Sequence, residues 1–251
     1  LLVADRGPRN HRDVPGLFLG VGDPIYNTAD PRRRQRGGAG AANELPRLAA
    51  SDVEIRTCAR AWRASSAPVL LEGVSATRQM LASSLESEPG VIHMAVHVVR
   101  SADDPPRPLI GLSLLPDGDP DYLGAEDIAV WHLRKPAIVV ISGCASGRTE
   151  AQPAVFTTFG GPSDPQGMPD SGLVGLARAW LAAGASAVVA SHWSTPDDTG
   201  ELFRSFYSHL NADGGADVAT ALSRAQIDMI ESNTWRSAPG QWAAYFVIGR
   251  D

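Results

Sequence analysis

Ala137-Ile-Val-Val-Ile-Ser-Gly-Cys-Ala-Ser146 is the stretch on which the fold turns. Five apolar residues run without alternation into Ser-Gly-Cys. Such a run reads as a strand covered on both faces, the kind found in a parallel sheet flanked by helices. In an open parallel sheet the crevice that binds ligands lies beyond the carboxyl ends of the strands. Cys144 follows such an end. Gly143 allows a sharp turn and close approach of a ligand, and Ser142, Ala145 and Ser146 leave space around the sulfur. Two readings stand on these residues: a nucleophile facing the crevice, or a small buried core cysteine.

Val91-Ile-His-Met-Ala-Val-His-Val-Val99 reads as a second buried strand, Val91–Val98, with His97 near its carboxyl end. If the two strands are neighbours, His97 and Cys144 meet at one edge of the sheet. A thiol needs a base to become a thiolate, and an imidazole suits that task near neutral pH. A period of two puts His93 on the face of His97, one step deeper, as a hydrogen-bonded core histidine or an orienting group. His11 and His209 read as surface residues. His132 closes a short helical stretch, and His192 follows a strand without a partner nucleophile.

The other strand candidates are Leu17–Val21, Val69–Glu72, Leu109–Leu115, Ala187–Ser191 and Ala243–Ile248. Helical patterns alternate with them. Ser51-x-x-Glu54 has the spacing of a capping box opening a helix to about Ala64. Ser75 is read as the cap of a second helix, and Ser171 as that of a third, with Leu173, Leu176, Ala177, Trp180 and Leu181 on one face and Gly184 as its stop. Thr195-Pro196 predicts another start, which would put Asp197 and Asp198 in a first turn. A last helix begins near Asp217. This alternation predicts an α/β fold, a mostly parallel sheet with helices on both faces. Asp30–Gly40, Ala102–Pro108, Pro116–Tyr122 and the long Arg148–Asp170 read as loops.

The chain has 251 residues and 43% apolar content, enough for one sizeable core. It is expected to form a single domain over residues 1–251, with 1–15 as a linker or tail, and to be part of a longer chain. A net charge of −6 lacks the broad basic face that direct nucleic-acid binding needs. Arg32, Arg33, Arg34 and Arg36 read as a solvated loop. Two cysteines far apart make neither a disulfide framework nor a zinc pair, and fit a reducing compartment, hence the cytoplasm. No run approaches the roughly 20 apolar residues of a membrane span. No metal or cofactor is expected. Gly143–Thr149 falls one residue short of a phosphate loop and carries Arg148 in place of its lysine, and Gly20-Val-Gly22 lacks the third glycine of a dinucleotide fingerprint.

Taken in order, these motifs resemble the CHAT family of caspase-like, separase-related cysteine proteases, often found beside tetratricopeptide repeats. The resemblance rests on His93-Met-Ala-Val-His97-Val98 and Ile141-Ser-Gly-Cys144-Ala-Ser-Gly147. It extends through Gly22–Pro24, Leu45–Leu48, Tyr122-Leu123, Gly172–Arg178, Gly184–Trp193 and Trp242–Phe246. It implies a caspase-like fold and a dyad of Cys144 and His97 that hydrolyses a peptide bond of a protein substrate, the oxyanion held by the backbone N–H groups of Cys144 and Val98. It also implies a regulated bacterial signalling or antiviral defence setting, with a regulatory partner or an upstream repeat domain. Asp197, Trp193 and Ser142 become candidates for substrate binding. The family's glycine after the histidine is Val98 here, a residue strained wherever φ is positive. A catalytically silent protein-binding scaffold of the same fold is the alternative.

Overall fold

The computed structural model describes residues 16–33, 45–103, 107–143, 171–193, 195–212 and 216–249, with backbone alone at 171 and 172. Cys144, the Arg148–Asp170 loop, Arg34, Arg36 and His11 lie outside the described residues.

The elements run β1 (Phe18–Pro24), α1 (Ser51–Trp62), β2 (Val69–Gly73), α2 (Arg78–Leu85), β3 (Val91–Ala95), β4 (Val98–Arg100), β5 (Pro108–Gly111), β6 (Tyr122–Leu123), α3 (Ala125–Ala129), β7 (Ile138–Ile141), α4 (Ser171–Ala183), β8 (Ala187–Ser191), α5 (Glu201–Leu210), α6 (Val218–Glu231) and β9 (Tyr245–Gly249). The main sheet has the order β2-β1-β3-β7-β8-β9. Its first five strands are parallel, and β9 closes the edge antiparallel to β8. A small antiparallel sheet, β4-β5-β6, stands beside it.

Each central strand feeds two cores because its side chains alternate between faces. Phe18, Val91, Val140 and Val189 pack with Cys58, Phe203, Phe206, Tyr207 and Leu222, which come from α1, α5 and α6. Leu19, Ile92, Met94, Val139 and Ile141 pack on the other face with Leu81, Ile128, Leu176 and Trp180, from α2, α3 and α4. The doubly covered parallel sheet expected from the apolar runs is therefore present. Gly184, at φ 117°, ends α4 as expected.

Several local expectations are corrected. The Val91–Val98 run is not one strand. It leaves the main sheet after Ala95 and re-forms as β4 in the small sheet, so β-propensity persists across a change of sheet. Leu109–Leu115 pairs only as far as Gly111. Ser51-x-x-Glu54 is not a capping box. Ala50 is the N-cap, the Ser51 hydroxyl accepts from Asp23 N–H at 2.7 Å and donates to Leu48 O at 2.8 Å, and Glu54 turns inward. Thr77, not Ser75, caps α2, accepting from Met80 N–H. Thr195 caps no helix: it accepts a hydrogen bond from the Tyr245 hydroxyl, and α5 starts at Glu201 behind Gly200, at φ 78°. Arg32 is no solvated loop residue, since it bridges the buried carboxylates of Asp23 and Asp30. His209 is paired with Asp228.

Candidate active site

β3 and β7 are neighbours, with Met94 opposite Ile141, and the Ser142 N–H continues the pairing to Met94 O at 2.9 Å. The two strands therefore end together. Beyond those ends the backbones pack so closely that Gly143 has no room for a side chain: a Cβ there would overlap the Val96 carbonyl oxygen. The Gly143 carbonyl accepts from the Ser191 hydroxyl at the end of β8, at 3.2 Å. This junction carries the chain to His97 on one side and towards Cys144, which lies outside the described residues, on the other.

His97 is almost fully buried, at 3% exposure. Its ring lies 4.8 Å from that of Tyr26, whose hydroxyl accepts from His97 N–H. Its Nε2 stands 2.9 Å from Pro46 O. A carbonyl only accepts, so a neutral His97 carries its proton on Nε2 and its lone pair on Nδ1. Burial pushes the imidazole below the ordinary histidine range, opposed by the Pro46 carbonyl and by the charge of Asp197. The ring is thus held in the neutral form that accepts a proton.

Val98 sits in β4 opposite Ile110 and is not among the described non-glycine residues with positive φ. Valine is at ease there. The His97 carbonyl accepts from Gly111 N–H at 2.8 Å. Across a trans peptide the next N–H points the opposite way, so that of Val98 is directed away from β5.

Asp197 borders the same ground from the β8–α5 connection. Its Oδ2 accepts from Ala50 N–H at 3.0 Å, so it serves the N-terminus of α1 rather than the first turn of α5. Partial desolvation raises its pKa, while the Ala50 N–H and His97 act to lower it. Asp198 is tied to Arg236 by two bonds, of 2.7 and 3.0 Å. Trp193 is 40% exposed and stacks on His192, which stacks on Phe246.

Ser142 and His93 belong to an interior group that periodicity did not disclose. His93, fully buried, has Nδ1 at 2.8 Å from the Tyr207 hydroxyl and Nε2 at 2.9 Å from Glu54 Oε1. The Ser142 hydroxyl donates to the same Glu54 oxygen. The sequence carried no signal for it, since the Ser51-x-x-Glu54 spacing points to a helix cap and not to His93. Among the described residues, no group of three or more His, Cys, Asp or Glu could hold a metal ion, and no helix is long and apolar enough to cross a membrane.

Comparison with known proteins agrees with the fold. The family model described as the CHAT domain matches residues 3–250. Over 81 residues, 32% of this chain, the sequence is 37% identical to tetratricopeptide repeat protein 28 of Homo sapiens, and equally to that of Mus musculus. The match spans only 3% of the length of those relatives. The solved structure of the Arg-specific cysteine proteinase gingipain R superposes with a TM-score of 0.52 at 10% identity, over 96% of this chain and 48% of that one. At that identity the likeness speaks for the fold, and the fold is that of a caspase-like cysteine protease.

Proposed function

Because the chain belongs to the CHAT domain family, we propose that it is a cysteine endopeptidase with Cys144 as nucleophile and His97 as general base. The observation that carries this reading is the buried, neutral His97 with Nε2 on Pro46 O, beside the junction where Gly143, the residue before Cys144 in sequence, packs against Val96. His97 Nδ1 takes the proton from the Cys144 thiol, and the thiolate attacks the carbonyl carbon of the scissile peptide. The oxyanion is held by the N–H groups of Val98 and Cys144. Collapse breaks the C–N bond, and the imidazolium returns its proton to the departing amine. Water, deprotonated by His97, then hydrolyses the acyl-enzyme and restores the thiol. Asp197 and Trp193 line the substrate side in this reading.

A silent scaffold would draw support from a strained Val98, and the ordinary backbone of Val98 withdraws that support. The proposal extends to control by a partner or an upstream repeat domain, supported by the tetratricopeptide repeat proteins among the relatives. A cytoplasmic bacterial signalling or defence setting rests on the family resemblance alone.

The test is cleavage of a proteome-derived peptide library, read by sequencing of new N-termini. The parent should generate cuts that vanish in Cys144→Ala and His97→Ala. Equal cutting by Cys144→Ala would reject the assignment. Iodoacetamide at neutral pH should modify Cys144 and spare Cys58, whose thiol is fully buried and pushed well above its ordinary pKa by desolvation.

A further inference from the structure

We infer that Glu54 is a positioning residue: through the Ser142 hydroxyl it fixes the end of β7 that leads into Gly143 and the nucleophile. This rests on the protease reading and adds to it a part that Cys144 and His97 do not supply.

The group is a directional chain of hydrogen bonds. Burial raises the Tyr207 phenol well above its ordinary pKa, so it keeps its proton. The chain is satisfied throughout if Tyr207 O–H donates to His93 Nδ1, His93 Nε2–H donates to Glu54 Oε1, and Ser142 O–H donates to that same oxygen. A buried carboxylate is costly unless donors surround it. Here both donors come from strands that end at the site: His93 from β3, and Ser142 from the residue after β7. The stem of Glu54 also packs against Gly200, where any Cβ would collide with its Cγ, so the entry to α5 lies against this side chain. One side chain thus ties α1, β3, the end of β7 and the start of α5.

The energetic logic is asymmetric. Ser142 is the link nearest the site, and it is held by charge-assisted bonding to a carboxylate that cannot reorient without abandoning His93. Removing the link frees the end of β7 but leaves the Glu54–His93–Tyr207 core intact. Fold and placement can therefore be separated by mutation.

Ser142→Ala deletes the link alone. Glu54→Gln keeps an acceptor oxygen but loses the charge, and Glu54→Ala removes both. On one peptide recovered from the library, Ser142→Ala should lower kcat at least about tenfold with KM within about threefold, Glu54→Gln should fall between it and the parent, and Ser142→Ala should stay folded at the assay temperature although its melting temperature drops by about 2–12 °C. Native-state hydrogen exchange of the Ser142 amide should speed up about tenfold or more in Ser142→Ala and Glu54→Gln, with the Val139 and Val140 amides unchanged. This readout needs neither activity nor Glu54→Ala to fold. Parental kcat, or parental exchange at Ser142 in both variants, would overturn the inference. A parent that cuts nothing and alkylates Cys144 no faster than Cys58 would instead reject the protease reading, and the exchange data would still decide this one.

Discussion

Gly143→Ala tests the junction at its tightest point. A Cβ on Gly143 would overlap the Val96 carbonyl oxygen and stand 3.2 Å from both the Val96 carbonyl carbon and Val98 Cγ2. Comfortable contacts between such atoms begin near ~3.5 Å. The obstacle is backbone, so the methyl fits only if the end of β7 and the Val96–Val98 segment separate by roughly 1 Å. Overpacking of this kind costs about 1–3 kcal/mol, and at about 2–4 °C per kcal/mol for a chain of this size the melting temperature should fall by about 2–12 °C. His97 is carried on the displaced segment. A misplacement of about 1 Å should cost on the order of 100-fold in kcat. Calorimetry measures the first effect and peptide turnover the second. Gly175→Ala is the control: nothing lies within 4 Å of its Cβ, and α4 should gain about 0.5–1 kcal/mol. A Gly143→Ala protein with the parental melting temperature and turnover would refute the packing argument.

Other expectations follow from the buried groups. Burial lowers the pKa of His97 from 6.5, so the acidic limb of kcat/KM should fall below pH 6.5. Below that pH the unfolded chain binds more protons at this residue than the folded one, so its contribution to stability declines as the medium is acidified; unfolding across a pH series checks the sign. Asp197→Asn removes a charge that favours the imidazolium and should move the limb lower still. Tyr207→Phe leaves His93 Nδ1 without its partner in a dry site and should cost about 1–3 kcal/mol in denaturant unfolding. Cys58 should resist alkylation until the chain unfolds, so its labelling rate in denaturant should track the unfolding transition.

What the sequence disclosed about the fold came from periodicity. Unbroken apolar runs marked β1, β3, β7 and β8 as doubly covered strands, and that pattern follows directly from a sheet with helices on both faces. The same logic set His97 and Cys144 near strand ends, and the pairing of β3 with β7 came from the structure. It failed where one run served two sheets, because β-propensity persists from Val91 to Val98 while the pairing partner changes after Ala95. One helix start was legible at Asp217, which caps its own helix. Ser51 and Thr195 were misread because their side chains bond Asp23 and Tyr245, far away in sequence, and Ser75 because its hydroxyl bonds Glu72 while Thr77 caps the helix. Asp197 reaches the α1 terminus 147 positions away in sequence.

Local pattern was thus enough for the layers of this protein and for His97 and Cys144 as candidates. The folded contacts supplied the proton arrangement of His97, through Pro46, the ease of Val98, and the hydrogen bonds of Glu54. The spacing that reads as a capping box belongs to a carboxylate whose partners, His93 and Ser142, lie 39 and 88 positions away. Burial of a face repeats with the geometry of its element and is written into the local pattern. The pairing of buried polar groups depends on which segments the fold brings together, and no local pattern encodes that.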